Sequence, residues 1–273
     1  MEKLGRAGIW VRHSNVRPEV AGELEQLGYS TLWLGASPPA SLEMVDPLLG
    51  ATETLMVGTS IVNIWTSPAT SVAASFHRLQ ATYPGRFLLG IGAGHRENEA
   101  NYRKPYEALG DYLDELDRAG VPAQRRALAA LGPRVLDLAR DRSAGALPYL
   151  VTPEHTRSAR ARLGADALLV VEQKVVVDPD PHWARRVGRD RVGPYLGLSN
   201  YVANLRRIGF GADDVTLPGS DRLVDALVIH GEPETVADGL RAHLSAGANQ
   251  VAIQVLSADD DILPGARALA QLF

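Results

Sequence analysis

The fold prediction rests mainly on Tyr83-Pro84-Gly85-Arg86-Phe87-Leu88-Leu89-Gly90-Ile91-Gly92-Ala93-Gly94-His95-Arg96-Glu97-Asn98. Residues 87–91 form a short apolar run of the kind found in buried parallel strands. Gly92 and Gly94 leave the carboxyl end of this strand without side chains, so a flat ring could approach the bare backbone closely. His95 follows directly. The stretch therefore predicts a buried strand that ends at a ligand site.

Composition and charge exclude several classes of protein. The 273 residues are 45% hydrophobic, which is enough for a substantial core. The net charge of −4 gives no basic face, so we do not expect a nucleic-acid partner. The absence of cysteine excludes disulfides, thiolate metal sites and cysteine catalysis, and is typical of a cytoplasmic protein. The seven histidines show no His-x-x-x-His spacing, so no metal site is predicted.

Membrane association is not expected either. The N-terminal residues show no signal-peptide pattern. No uninterrupted apolar segment approaches the roughly 18 residues that a membrane-spanning helix needs. We therefore expect a soluble, cytoplasmic protein that acts on a small molecule.

Apolar runs typical of strands alternate along the chain with segments of helical spacing. The predicted strands are residues 8–11, 31–34, 56–64, 87–91, 127–131, 146–151, 168–177 and 251–256. The clearest helical segments are residues 18–28, 42–52, 68–83, 106–119, 153–163 and 236–244. An additional apolar run at 227–229 leaves the strand count uncertain by about one.

This alternation predicts a parallel sheet with helical crossovers. Eight strand-helix units in roughly 250 residues is the size of a closed barrel. A doubly wound open sheet is the alternative, but Trp10-Val11-Arg12-His13-Ser14 after the first strand lacks the Gly-x-Gly-x-x-Gly fingerprint. No linker divides the sequence. We therefore predict an α/β fold, a single (β/α)8 TIM barrel over residues 1–273.

In such a barrel the active site forms where the strands end at their carboxyl sides. This rule selects Trp10 and Arg12 together with the residues around 35–37, 61–65, 92–98, 131–133, 151–155 and 172–174. His95 is the candidate for proton transfer because an imidazole titrates near neutral pH. The alternative is that it caps a helix or lies in solvent. No Gly-x-Ser-x-Gly motif is present, so a hydrolase has no candidate nucleophile.

Two turns are candidates for binding an anionic group. Ala130-Leu131-Gly132-Pro133 leads from a strand into a helix without an acidic residue. Free amides and the positive end of the helix dipole would face a phosphate there, and proline suits the first helical turn. An ordinary tight connection is the alternative. Thr152 precedes Pro153 as a helix cap, and for this turn the purely structural interpretation is favoured.

Three segments resemble a known family. Val57-Gly58-Thr59-Ser60-Ile61-Val62, Ser67-Pro68-Ala69 and the run from 83 to 94 are similar to the luciferase-like monooxygenase superfamily, particularly its deazaflavin-dependent oxidoreductases, which use coenzyme F420. Late in the chain, residues 231–236 and 246–251 resemble the closing helix and strand of this family. The likeness covers nearly the whole chain.

The resemblance implies a luciferase-like barrel in which a flavin or deazaflavin ring lies across the strand ends. A cis peptide at or beside Ser60-Ile61 would support the back of the ring. The cofactor-binding residues that the resemblance and the turns imply are Ser60, Ile61, Gly92, Ala93, Gly94, Asn98, Ala130, Leu131, Gly132, Pro133 and Thr152. Trp10 and Trp65 are expected to form an apolar wall over the substrate, joined by Trp33 unless that residue belongs to the core.

The sequence also departs from the family pattern. His95 stands where several deazaflavin enzymes have a carboxylate, and the end of the second strand, residues 34–39, lacks the Asp-His pair of many relatives. Thr152-Pro153 replaces the glycine and lysine that bind phosphate in some of them. The identity of the substrate and the acid and base roles therefore do not transfer to this chain.

We predict a coenzyme F420-dependent oxidoreductase that moves a hydride between the deazaflavin and an unidentified small organic substrate. One alternative keeps the fold and uses FMN as a monooxygenase. A second is a barrel that binds the cofactor without catalysis, which the missing Asp-His pair leaves open. Because relatives are commonly dimers, a homodimer is also expected. The apolar residues of 68–83 are candidates for its interface, although they could equally face the barrel.

Overall fold

The computed structural model describes residues 4–98 and 102–272, with the backbone alone for Asn98. Its strands are β1 (Ala7–Arg12), β2 (Thr31–Gly35), β3 (Met56–Thr59), β4 (Val62–Asn63), β5 (Phe87–Gly92), β6 (Arg126–Leu128), β7 (Gly145–Ala146), β8 (Leu168–Val176), β9 (Val228–His230) and β10 (Gln250–Val255). Its α-helices are α1 (Pro18–Gln26), α2 (Val45–Gly50), α3 (Ala69–Thr82), α4 (Pro105–Arg118), α5 (Pro133–Arg142), α6 (Pro153–Leu163), α7 (Pro181–Val192), α8 (Ser199–Arg207), α9 (Asp221–Leu227), α10 (Pro233–Ser245) and α11 (Leu263–Leu269).

The sheet closes into a parallel barrel. Its strands follow the order β10-β1-β2-β3-β5-β6-β7-β8, and β8 pairs in turn with β10. The segments β3 and β4 together form the third barrel strand, because both pair with β5. The predicted eight-stranded TIM barrel is thus confirmed. The additional apolar run corresponds to β9, which pairs with the upper part of β8 from Lys174 and Val228 onward.

Three predicted strands were too long. The third is interrupted at Ser60-Ile61, where the peptide bond is cis. The fifth ends at Leu128 and the sixth at Ala146. Beyond that point Leu150 adopts φ +57°, and its N–H donates to the carboxylate of Glu172 at 3.1 Å instead of to a strand. Leu147 and Pro148 still form backbone hydrogen bonds with Leu128 and Glu172, but the chain leaves the regular strand from Leu150 onward.

A layer of large side chains fills the barrel below its carboxyl rim. We call this layer the barrel plug; it consists of Trp10, Trp33, Leu88, Ala127, Leu147, Leu168, Val170 and Ala252. Trp33 is completely buried, and its indole N–H donates to Gln250 at 2.7 Å, so this residue belongs to the core. Two glycines make room for the indoles: a Cβ at Gly58 would lie 2.4 Å from the ring of Trp33, and a Cβ at Gly35 would lie 1.8 Å from that of Trp10.

The helices cover the outside of the barrel. On α3 the buried side chains include Val72, Phe76 and Leu79, which belong to the core formed with the strands. The apolar residues of the segment 68–83 therefore face the barrel, which is one of the two alternatives that the sequence left open. Within residues 4–98 and 102–272, no helix is both long and apolar enough to cross a membrane.

The close packing of Trp10 against Gly35 gives a direct test of the barrel plug. We expect Gly35→Ala to lower the free energy of unfolding by about 1–3 kcal/mol, because the added methyl overlaps the indole and forces it out of place. Urea unfolding measures this loss. The control is Gly22→Ala in α1, where the Cβ would lie 3.5 Å from its nearest neighbour and alanine favours the helix. Equal stability of the two variants would contradict the packing described here.

Candidate functional site

A cavity opens at the carboxyl ends of the barrel strands, directly above the barrel plug. Its volume is about 360 Å³, within the range of small-molecule sites. Many of the predicted site residues line it: Trp10, Ser60, Ile61, Ala93, Gly94, His95, Ala130, Leu131 and Gly132. Sequence segments more than 100 residues apart thus meet at the rim, as the barrel rule predicts.

Other predicted residues lie behind the cavity wall. A Cβ at Gly92 would lie 2.9 Å from both Ile61 and Ala129, so this glycine lets two strands approach beneath the wall. The indole N–H of Trp65 donates to the carbonyl of Ala93 at 2.5 Å, so Trp65 supports the wall from outside. Pro133 is the first residue of α5 and Thr152 is the N-cap of α6. Like Gly92 and Trp65, they are not among the described residues that line the cavity. The side chain of Asn98 lies outside the described part of the chain.

One side of the cavity, which we call the backbone surface, is lined by Ser60, Ile61, Ala93 and Gly94. The cis bond Ser60-Ile61 lies where the resemblance predicts it. The strand before it is held to β5 by Thr59, whose hydroxyl donates to the carbonyl of Gly90 at 2.7 Å and accepts from the same residue's N–H at 2.8 Å. Next to it, Gly94 has φ +56°, a left-handed conformation that suits glycine. Apart from Ile61, the residues named on this side therefore have small side chains or none.

The turn into α5 forms a second part of the wall. Gly132 is the N-cap, and among the described residues no atom lies within 4 Å of the position a Cβ would occupy. The amides at the start of α5 receive no side-chain cap from this residue, so the positive end of the helix dipole borders open space. The preceding carbonyl, of Leu131, accepts from Nε2 of His155 at 3.0 Å. Burial lowers the pKa of His155, so its ring is neutral at pH 7 and fixes the turn without adding charge.

Three aromatic rings, which we call the tyrosine wall, also line the cavity: Tyr149, Tyr195 and Tyr201. The hydroxyl of Tyr195 donates to that of Tyr149 at 3.0 Å, and Tyr149 donates to Gln254 at 3.1 Å. The ring centroids of Tyr195 and Tyr201 are 5.1 Å apart, and the ring of Tyr201 is 5.3 Å from that of His95. Burial raises the pKa of all three tyrosines, so they are neutral hydrogen-bonding groups.

Sequence reasoning missed the tyrosine wall. Tyr149 falls inside a predicted strand and carries no motif. Tyr195 and Tyr201 lie in the polar segment after β8, where no periodic pattern points to the barrel rim. The available signal was compositional: two of the eight tyrosines occur within seven residues of a segment that otherwise has few aromatic side chains.

A buried ion pair lies beneath the tyrosine wall. Glu172 and Lys174 lie two and four residues after Val170 of the barrel plug and therefore on the same face of β8, so both side chains point into the barrel. Their side chains are 3% and 1% exposed, and Nζ lies 3.0 Å from Oε1. Burial lowers the pKa of Lys174, while the carboxylate of Glu172 opposes that shift. The ammonium also lies 3.9 Å from the ring centroid of Tyr149, a cation–π contact.

Within residues 4–98 and 102–272, no group of three or more histidine, aspartate or glutamate side chains is arranged to hold a metal ion.

The fold and the cavity define a TIM barrel with a small-molecule site at its carboxyl rim. Residues 15–120 match the family model described as luciferase-like monooxygenase. The resemblance of this chain to the luciferase-like monooxygenases is confirmed by that match. A search of curated proteins found no match to the sequence.

Solved structures of similar fold include both cofactor classes. An F420-dependent secondary alcohol dehydrogenase in complex with an F420-acetone adduct has a TM-score of 0.76 at 15% identity, with 98% of each chain covered. The coenzyme F420-dependent tetrahydromethanopterin reductase from Methanopyrus kandleri has a TM-score of 0.69 at 16% identity, again with 98% of each chain covered. The oxygenating constituent of 3,6-diketocamphane monooxygenase from Pseudomonas putida, in complex with FMN, has a TM-score of 0.70 at 14% identity, covering 97% of this chain and 96% of that one.

The buried ion pair gives a prediction about stability. We expect Lys174→Met to lower the free energy of unfolding by about 3–5 kcal/mol, because Glu172 is then a buried charge without its partner. Adding Glu172→Gln removes that charge, so the double variant should recover more than half of the loss. Urea unfolding of the wild type, both single variants and the double variant measures the coupling. Additive losses would show that the two side chains do not depend on each other.

Proposed function

We propose that this protein is an oxidoreductase that binds coenzyme F420 at the barrel rim and moves a hydride between the deazaflavin and a small organic substrate. The observation that carries the proposal is the backbone surface at Ser60-Ile61 and Ala93-Gly94, which borders the cavity and leaves room for a planar ring. The resemblance of residues 57–62 and 83–94 to the deazaflavin-dependent oxidoreductases supports the deazaflavin over FMN.

The residues present fit such a cofactor in two respects. Along one side of the cavity, Ala93, Gly94, Ala129 and Ala130 carry at most a methyl group, which suits a flat heterocycle. Gly132, the N-cap of α5, leaves open space next to the positive end of the helix dipole. A phosphate would be stabilised in such a position. In our proposal the ring lies along the small residues and the phosphate lies at this turn.

When bound, the deazaflavin supplies the hydride chemistry. The chain's own residues then orient the ring and exclude water from it. His95 lines the cavity and packs against Tyr201, a position from which it can donate or accept the proton that accompanies hydride transfer to or from a substrate oxygen. Arg12 lies exposed at the cavity rim.

Cofactor binding is tested by titrating the protein with coenzyme F420 and, separately, with FMN while following ligand fluorescence. We expect F420 to bind more tightly. Gly132→Asp should weaken binding about tenfold or more, because a carboxylate would occupy the space proposed for the phosphate. The matched control is Gly132→Asn, which has nearly the same shape and is also a good N-cap but carries no charge. FMN binding more tightly would favour the monooxygenase alternative, and binding of neither would contradict the proposal.

The role of His95 is tested with a panel of ketones, alcohols and enones supplied to the F420-loaded protein. For any substrate that is turned over, we expect His95→Gln to keep cofactor affinity and to lower kcat by about a hundredfold, the lower end of the usual effect of losing a general acid or base. Unchanged turnover would remove the proton-transfer role and leave the cofactor proposal intact. Tight F420 binding without turnover of any compound would favour a non-catalytic barrel.

A further inference from the structure

Among the described residues that line the cavity, Arg12 carries the only permanent charge, and none is aspartate, glutamate or lysine. Arg12 ends β1, is exposed at the rim, and forms no ion pair with any residue in 4–98 or 102–272. A guanidinium without a carboxylate partner attracts anions, and a cavity that contains no acidic side chain does not repel them. The cavity is therefore suited to a negatively charged ligand.

Strand alternation directs Arg12 toward the inside of the rim. Trp10, two residues earlier on β1, belongs to the barrel plug, so Arg12 lies on the same inward face of the strand and above that layer. Burial raises the pKa of Tyr195, and the charge of Arg12 acts in the opposite direction, so the guanidinium lies within electrostatic range of that hydroxyl. The positive charge therefore borders the cavity beside the tyrosine wall.

The turn next to Arg12 has an uncommon backbone conformation. Gly35, the last residue of β2, pairs with Arg12. The next two residues, Ala36 and Ser37, have φ +61° and φ +53°. Left-handed conformations are uncommon for residues other than glycine and are concentrated at functional sites. Both residues are exposed and line the cavity, so this turn is a candidate for contact with a ligand.

The same turn carries donors that the protein does not use. The amides of Ala36 and Ser37 donate to no acceptor within the described part of the chain, and the two prolines that follow have no N–H. The hydroxyl of Ser37 is a further donor in this turn. We call Arg12, Ala36 and Ser37 the anion cradle. It combines one positive charge with neutral donors, a combination that suits an anion with several acceptor lone pairs.

The anion cradle lies across the barrel from the turn proposed for the cofactor phosphate. In the strand order β10-β1-β2-β3-β5-β6-β7-β8, which closes on itself, β6 is four strands from β1 in either direction. Gly132 follows β6, whereas Arg12 ends β1. A phosphate at the turn into α5 therefore leaves the anion cradle available for a different negatively charged group.

We propose that the anion cradle binds a carboxylate group of the substrate, so that the substrate is a small organic monoanion. The single guanidinium balances one negative charge, and its planar donors match the two oxygens of a carboxylate. The inference rests on the proposed function in assigning the opposite side of the cavity to the deazaflavin. It deepens that function by naming the chemical class of the substrate and the residues that select it.

The test is a calorimetric titration of the protein, without cofactor, with benzoate and with benzamide, a neutral molecule of nearly the same shape. We expect benzoate to bind more tightly. Arg12→Gln should weaken benzoate binding about three- to tenfold, a modest loss because the charge is exposed. The control is Arg17→Gln, which removes the same charge at the exposed N-cap of α1, outside the cavity. Equal losses in the two variants, no binding of benzoate, or equal affinities for the two probes would overturn the anion cradle.

Backbone NMR during the same titration locates the bound anion. We expect benzoate to shift the amide protons of Ala36 and Ser37 downfield, because they then donate to the carboxylate. The amide signals of Leu131 and Gly132, at the turn into α5, should stay in place. Movement at that turn with none at 36–37 would put the anion on the opposite side of the barrel and contradict the proposal.

A titration with coenzyme F420 separates this inference from the proposed function. Arg12→Gln should keep the F420 affinity of the wild type, since the phosphate is assigned to the opposite side of the barrel. A loss of F420 affinity as large as the loss of benzoate affinity would assign Arg12 to the cofactor and overturn its role toward the substrate. A protein that binds benzoate through Arg12 but does not bind F420 would contradict the proposed function and support the anion cradle.

Discussion

The architecture depends on how two indoles fill the middle of the barrel. Trp10 and Trp33 occupy space that exists only because Gly35 and Gly58 have no side chains. Closely packed protein interiors rearrange little, so the barrel plug ends at a fixed position along the barrel axis. Above it the strands end and the small residues at 93–94 and 129–130 follow. The cavity is thus the part of the barrel that the indoles leave open.

A buried ion pair, Glu172 and Lys174, lies beneath Tyr149 of the tyrosine wall. Ion pairs buried as completely as Glu172 and Lys174 contribute little net stability, because desolvation offsets much of their attraction. Here the pair has a second structural consequence. Glu172 accepts from the N–H of Leu150, and Lys174 contacts the ring of Tyr149, so one pair fixes two consecutive residues of the loop after β7. The irregular loop thereby becomes a defined wall of the site.

Sequence reasoning recovered what depends on local composition. The eight barrel strands and the small residues at 92–94 follow from short segments read along the chain, whereas the position of the cis bond was predicted only from the family resemblance. The tyrosine wall does not, because Tyr149 and Tyr195 meet only after β8 and the segment following it return to the rim. Sequence reasoning also did not predict that the side chain of Lys174 points into the barrel. Strand alternation places it inside, but only once the ends of β8 are known.

The similar structures do not decide which cofactor this protein binds. Structures with F420 and with FMN resemble this chain to a similar degree, at 14–16% identity. The choice between them therefore depends on the chemistry of the cavity itself. Its features are small residues beside the cis peptide, a helix N-terminus without a side-chain cap and neutral hydrogen-bonding tyrosines.

A crystal structure of the protein grown with coenzyme F420 tests the central claim most directly. The account predicts density for a tricyclic ring against Ser60-Ile61 and Ala93-Gly94, with its phosphate at the turn before α5 and the tyrosine wall left facing the substrate side. A ring bound elsewhere on the barrel, or a cavity in which displaced side chains occupy the place of the ring, would contradict it.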